Sequence, residues 1–119
     1  MGLIQIESEE LPKMDHVTDD TYSALVEQAD LPVVLDFGAT WCGHCKKLEP
    51  LLDELSVAYA GKVRVLKVDV GDSPATAQKF GVMGVPTVVF LKEGKPVHRF
   101  SGVESKDKIV KMMGQHLGV

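Results

Sequence analysis

The sequence has few cysteines and no excess of basic residues. Only two of its 119 residues are cysteine, so the chain is not a small scaffold stapled by several disulfides. Lys and Arg number 13 against 17 Asp and Glu, and the net charge of −4 argues against nucleic acid or an anionic membrane as the main partner. Apolar runs such as residues 85–91 are far shorter than the ~20 residues of a spanning helix. We therefore expect a chain with no membrane segment.

The N-terminus lacks the features of a targeting signal. Its first residues carry acids where a secretory signal carries Lys and Arg, and they contain no long apolar stretch. The Met-Gly start does not match the myristoylation pattern, because residue 6 is Ile6 rather than Ser or Thr. These absences predict a cytoplasmic protein, with residues 1–12 as a short acidic lead-in and residues 13–119 as a single domain.

Hydrophobic periodicity and turn residues predict the order strand, helix, strand, helix, strand, helix, strand, strand, helix. The predicted strands cover residues 13–17, 33–37, 62–70, 87–91 and 96–101. The predicted helices cover residues 19–29, 42–60, 74–80 and the C-terminal segment, with Thr18, Ser73 and Ser105 as N-caps. Pro50 is expected to kink the second helix and Gly61 to end it. This alternation favours the α/β class, with a mixed sheet covered by helices on both faces.

Both cysteines lie in the stretch "WCGHC", directly after a predicted strand and at the start of a predicted helix. Unpaired N–H groups and the helix dipole favour negative charge there, so the thiol pKa of Cys42 is expected to fall below its usual ~8.5. Cys45 is predicted to lie on the same helical face, shielded by one turn. The exposed Cys42 thiolate would then attack a substrate disulfide and Cys45 would resolve the mixed disulfide, while Gly43 leaves room for the partner chain.

A zinc site is an alternative use of the pair, with His44 as a third ligand. Such sites need a second ligand pair at similar spacing, whereas His16, His98 and His116 are scattered singly. We therefore expect no metal.

Asp36 stands inside the apolar strand "VVLDF", where an ionised carboxylate is costly. Strand pleating would turn it to solvent in one interpretation. In the other it is buried with a raised pKa and accepts the proton of Cys45 as that thiol attacks.

Four segments resemble the thioredoxin family: "VVLDFGAT", "WCGHCKKLEPLLDEL", "KVDV" and "GVPTVVFLKEGK". The resemblance extends from about Val17 to the C-terminus and implies the thioredoxin fold, a central mixed sheet flanked by helices. It implies a dithiol–disulfide oxidoreductase that reduces protein disulfides through Cys42 and Cys45 without a bound cofactor. A thioredoxin reductase would recharge the pair with electrons from NADPH or another donor. We expect the protein to act as a monomer.

The resemblance also assigns roles around the cysteines. It favours a buried Asp36 and places Lys67 near that carboxyl. It implies a cis peptide bond before Pro86, packed against the cysteine pair. Pro86 would shape a groove for the substrate chain, lined by Gly84, Val85 and Thr87 with Gly102 on its other wall. Trp41, adjacent to Cys42, is expected to add apolar contact surface for the partner protein.

The sequence departs from the family at Gly38, where an aromatic is usual, and at His44, where proline is usual. Gly38 is expected to loosen the packing beside the site. Disulfide isomerases carry Cys-Gly-His-Cys, and a histidine beside Cys42 stabilises its thiolate and makes the pair more oxidising. A disulfide oxidase or isomerase is therefore the first alternative, and a non-catalytic adaptor or chaperone with this fold is the second.

Overall fold

The computed structural model describes residues 14–119, so the lead-in over residues 1–12 and the strand start at Lys13 lie outside the described residues. The predicted order of elements is confirmed. The strands are β1 (Asp15–Val17), β2 (Val33–Gly38), β3 (Arg64–Asp69), β4 (Thr87–Lys92) and β5 (Lys95–Ser101). The helices are a π-helix (Ser23–Glu27), α1 (Gly43–Ala58), α2 (Pro74–Lys79) and α3 (Lys106–Leu117).

The five strands form one mixed sheet in the order β1-β3-β2-β4-β5. β3 runs parallel to both β1 and β2, whereas β4 is antiparallel to β2 and β5 is antiparallel to β4. β2 lies in the middle, and all six of its residues are buried because helices cover both faces of the sheet. The functional residues of β2 therefore project into a packed interior.

Helices pack on both faces, as the sequence predicts. On one face, α1 and α3 contribute a set of apolar side chains to the core: Leu48, Leu52, Leu55, Ile109, Met113 and Leu117. On the other, the π-helix contributes Val26 and α2 contributes Ala77, with Tyr22 just before the π-helix and Phe80 just after α2. Within residues 14–119, no helix is long and apolar enough to cross a membrane.

α1 carries the cysteine pair at its N-terminus. It continues through Pro50 and ends at Ala58, three residues before Gly61, so it is slightly shorter than predicted. Ser105 caps α3 as predicted, since its hydroxyl accepts the Lys108 backbone N–H at 3.2 Å.

One predicted cap is wrong, and a second, Ser73, is confirmed in position but makes no cap bond. Thr18 does not begin a helix over residues 19–29; a single π-helical turn starts five residues later, and the Thr18 N–H donates instead to the Thr21 hydroxyl at 2.8 Å. Ser73 precedes α2 but its side chain makes no cap bond. The carboxylate of Asp19 takes that place, accepting the backbone N–H groups of Ala75 and Thr76 at 3.2 and 2.8 Å.

Candidate active site

Cys42 and Cys45 form a disulfide at the N-terminus of α1, with Cα atoms 5.3 Å apart. Cys42 is the N-cap residue and has an extended backbone, so its side chain points over the first turn. Its Sγ accepts the backbone N–H of Cys45 at 3.1 Å. This donor and the positive end of the helix dipole both stabilise negative charge on the Cys42 sulfur.

Both cysteines are buried in the disulfide form, Cys42 to 6% exposure and Cys45 to 1%. Ala39 is buried with them, and Val70 and Val85 pack against the group. The predicted order of accessibility holds, but the prediction of an exposed Cys42 is wrong for this state. Its sulfur is bonded to Cys45 and lies among these apolar neighbours.

Asp36 is buried on β2, at 1% exposure, so the interpretation that pleating turns it to solvent is wrong. Among residues 14–119, its Oδ1 atom has no hydrogen-bond partner. The pKa of Asp36 is raised to about 7: burial is the main cause, the charges of Glu49 and Asp53 add to it, and the charge of Lys67 acts in the opposite direction. A carboxyl with this pKa exchanges protons readily near neutral pH.

Lys67 is the direct neighbour of Asp36 in the parallel register of β2 and β3. Its ammonium nevertheless forms an ion pair with Glu49 on α1, and both side chains are partly exposed. Glu49 and Lys67 line a cavity of about 290 Å³ together with Ala39 and Thr40. Lys67 is therefore next to Asp36 in the strand register, as predicted, but its ammonium is paired with Glu49.

Gly38 lies at the end of β2 and faces the cysteine pair. A Cβ at this position would lie 3.4 Å from the Cys45 Sγ and 3.5 Å from its Cβ, which is ordinary contact distance. The glycine therefore leaves out one side-chain contact beside Cys45.

An apolar surface flanks the disulfide. The side chains of Trp41 and Met83 are 78% and 98% exposed. They border a cavity of about 140 Å³ whose other walls are Val70, Val82, Gly84 and Val85. Large apolar groups left this open are typical of a contact surface for another protein.

The Val85–Pro86 peptide bond is cis, as the family resemblance implies. The Pro86 carbonyl accepts the backbone N–H of Gly102 at 3.0 Å, which places Gly102 beside the proline. Thr87, in contrast with the prediction that it lines the groove, is buried at 3% exposure. Its hydroxyl donates to the Gly84 carbonyl at 2.7 Å and so fixes the backbone of residues 84–87.

Gly43 and His44, between the two cysteines, are both exposed at the start of α1. Residues 14–119 contain no group of three or more His, Cys, Asp or Glu side chains placed to hold a metal ion.

Two residues of this site were not predicted. Glu49 lies one helical turn after Cys45, and the four-residue spacing would have placed it on the same face. Met83 precedes the Gly-Val-Pro segment, and its exposure follows from the tertiary structure alone.

Comparisons with known proteins agree with this geometry. The family model for thioredoxin matches residues 13–115. A thioredoxin of Haemophilus influenzae is 39% identical over 102 residues, covering 86% of this chain and 95% of the relative. A thioredoxin of Staphylococcus aureus is 41% identical over 101 residues, covering 85% and 95%. The chain, with its disulfide-forming pair at a helix N-terminus, therefore belongs to the thioredoxin family of thiol–disulfide oxidoreductases.

Proposed function

We propose that this oxidoreductase reduces disulfide bonds in other proteins, with Cys42 as the nucleophile and Cys45 as the resolving thiol. The observation that carries the proposal is the hydrogen bond from the Cys45 N–H to the Cys42 Sγ at the start of α1. It stabilises negative charge on the sulfur of Cys42, which is the more exposed of the two residues.

In the first step, the reduced Cys42 thiolate attacks one sulfur of a substrate disulfide. The substrate S–S bond breaks, its second sulfur leaves as a thiolate and takes up a proton, and a mixed disulfide joins Cys42 to the substrate. The apolar surface around Trp41 and Met83 supports docking of a protein substrate at this point.

In the second step, Cys45 attacks the Cys42 sulfur of the mixed disulfide. The bond to the substrate breaks, its sulfur leaves as a second thiolate that is then protonated, and the Cys42–Cys45 disulfide forms. Two electrons thereby pass from the pair to the substrate. Asp36 accepts the proton that Cys45 loses. Two observations support this role: Asp36 is buried on the same face of β2 as Gly38, which contacts Cys45, and its pKa is raised to about 7.

The remaining site residues have binding or tuning roles in this proposal. The substrate chain runs along Gly43, Gly84, Val85, Pro86 and Gly102, while Thr87 holds Gly84 in place through its hydroxyl. Lys67 tunes Asp36, since its positive charge lowers the pKa of that carboxyl. His44 tunes the potential of Cys42 from its exposed position beside it.

The partners proposed are disulfide-containing proteins and a thioredoxin reductase that supplies electrons from NADPH or another donor. We place the protein in the cytoplasm, acting as a monomer. Residues 13–119 are proposed as one domain after an acidic lead-in over residues 1–12, which the family match over residues 13–115 supports.

Reduction of insulin by dithiothreitol tests the assignment of the two cysteines. Cys42→Ser is expected to abolish catalysis and to trap no substrate. When it is first reduced and then freed of dithiothreitol, Cys45→Ser is expected to accumulate a mixed disulfide between Cys42 and insulin, visible on non-reducing gels. A Cys42→Ser variant with wild-type activity, or a Cys45→Ser variant that turns over without trapping, would contradict these roles.

A further inference from the structure

Within the described part of the chain, the Lys67 ammonium forms its ion pair with Glu49 and not with the buried Asp36. Lys67 and Asp36 are paired in the register of β3 and β2, which brings their side chains to the same face of the sheet. Within residues 14–119, the ion pair of Lys67 is nevertheless with Glu49, and the Asp36 Oδ1 has no hydrogen-bond partner. A buried carboxyl oxygen without a hydrogen-bond partner, next to a lysine in the strand register, is an unfavourable arrangement unless another group holds that cation.

Glu49 is placed to hold it. Cys45, Glu49 and Asp53 are spaced four residues apart on α1, so they lie on one face of the helix above β2 and β3. Asp53 is engaged elsewhere, because its Oδ1 accepts the Met14 backbone N–H at 2.8 Å. Glu49 is thus the acid of this face that pairs with Lys67.

The ion pair lies on the wall of the 290 Å³ cavity, which opens toward solvent. Glu49 is about one-third exposed and Lys67 less than one-fifth. The Lys67 ammonium therefore lies at this wall, in contact with Glu49.

Other charged groups surround this cavity and Asp36. Those from α1 and the two neighbouring strands are Lys46, Glu49, Asp53, Lys67, Asp69 and His16. Of these, Glu49 and Lys67 form the ion pair, and Glu49 is the acid whose removal both eliminates a nearby negative charge and releases the lysine.

We propose that Glu49 is a positioning residue: by pairing with Lys67 it holds the ammonium on the cavity wall and keeps the buried Asp36 carboxylate a strong enough base to accept the Cys45 proton. The inference rests on the proposed role of Asp36. If Lys67 turned toward Asp36 instead, the cation would stabilise the carboxylate and weaken it as a base. A proton acceptor works best when its pKa lies near the working pH.

The test follows the titration of Asp36 by the NMR shift of its side-chain carboxyl carbon in the oxidised, full-length protein. Glu49→Gln is expected to lower the midpoint by about one pH unit, because a negative charge is lost and Lys67 is released. Glu54→Gln is the matched control, since Glu54 pairs with Lys106 at 3.9 Å from the same helix. An Asp36 midpoint that is the same in the wild type and in Glu49→Gln would overturn the proposal.

A second pair of variants separates positioning from bare charge. In a Lys67→Met background, Glu49→Gln is expected to move the Asp36 midpoint by less than half as much, because there is no ammonium left to release. An undiminished shift in that background would mean that Glu49 acts through its charge alone, which also overturns the proposal.

The rate of the resolving step tests the role of Glu49 separately from the proposed role of Asp36 as proton acceptor. We expect the pH profile for release of a mixed disulfide from Cys42 to move with the Asp36 midpoint in Glu49→Gln. If the midpoint shifts and the profile does not, Glu49 positions Lys67 as proposed, and the assignment of Asp36 as proton acceptor is overturned.

Discussion

Gly38 faces Cys45 across the interface of β2 and α1, with room for one methyl group between them. A Cβ built on Gly38 would lie 3.4 Å from the Cys45 Sγ, and the Gly38 backbone is not in the left-handed region. The Cys45 sulfur is therefore packed against β2 at a position, Gly38, that has no side chain.

Gly38→Ala is expected to stabilise the protein by about 0.5–1 kcal/mol, because alanine restricts the unfolded chain more than glycine and its methyl group fits here. The free energy of unfolding in urea measures this. Gly81→Ala is the matched control: the space around Gly81 is open, but its φ of +62° makes any side chain strained, so this variant should be less stable than wild type. A destabilised Gly38→Ala would show that the packing beside Cys45 has no spare room.

Asp36→Asn is expected to change how stability depends on pH. The pKa of Asp36 is raised to about 7 in the folded protein from 3.8, so the folded state binds more protons than the unfolded state between these pH values. Wild-type stability is therefore penalised progressively as the pH rises from about 4 to about 7, and the penalty is full above that.

The stability of Asp36→Asn minus that of wild type should accordingly increase by about 4 kcal/mol between pH 4 and pH 8. Urea unfolding at several pH values gives this difference directly. The variant should also reduce insulin more slowly, since it has no carboxylate to accept the Cys45 proton. A stability difference that is flat with pH would contradict the raised pKa.

Met83→Ser is expected to weaken substrate docking without changing the chemistry. Its side chain is 98% exposed beside Trp41 and adds apolar contact surface for a partner. Loss of this contact should raise the KM for insulin about fivefold with kcat unchanged. Val57→Ser removes a half-exposed apolar side chain near the other end of α1 and serves as the control. Equal KM values for the two variants would place Met83 outside the docking surface.

His98 on β5 and His116 on α3 are stacked, with ring centroids 4.0 Å apart. Burial, and secondarily the charge of His116, lower the pKa of His98. The folded state therefore binds fewer protons than the unfolded state below about pH 6.5, and stability falls as the pH drops through this range. His98→Gln should lose less stability than wild type between pH 7 and pH 5. Parallel pH dependences in urea unfolding would contradict this.

His44→Pro is expected to make the pair more reducing. A histidine that lowered the Cys42 thiol pKa by about one pH unit would supply about 1.4 kcal/mol, equivalent to about 30 mV. His44 is exposed, where solvent screens its charge, so the potential should become more negative by about 30 mV at most. A change of about 90 mV, the full difference between thioredoxin and protein disulfide isomerase, would show that His44 alone sets the activity class.

Local signals predicted most of the fold but not its contacts. The alternating strands and helices and the hairpin at Glu93 and Gly94 follow from periodicity and turn residues. The strand order was implied only by the family resemblance, because hydrophobic patterns do not specify which strands are neighbours. Ser73 is the N-cap residue of α2 that the sequence predicts, yet Asp19, 57 positions from Thr76, supplies the hydrogen-bond acceptor through a contact that a local pattern does not contain.

In the site, too, local sequence predicted some features, while others depend on tertiary contacts. The spacing of Cys42 and Cys45 before a helical pattern predicted their place at the N-terminus of α1. The burial of Asp36 depends on helices covering both faces of β2, and the pairing of Lys67 with Glu49 depends on how α1 lies across β3. Both are tertiary facts, which the strand sequence alone leaves open.

The reduction potential of the Cys42–Cys45 pair tests the central claim most directly. It is measured by equilibrating the protein in defined dithiol–disulfide buffers and following the fluorescence of Trp41, which adjoins the pair. A protein-disulfide reductase with a small contribution from His44 should give a value between about −270 and −240 mV. A value of about −200 mV or above would contradict the account and indicate an oxidase or isomerase.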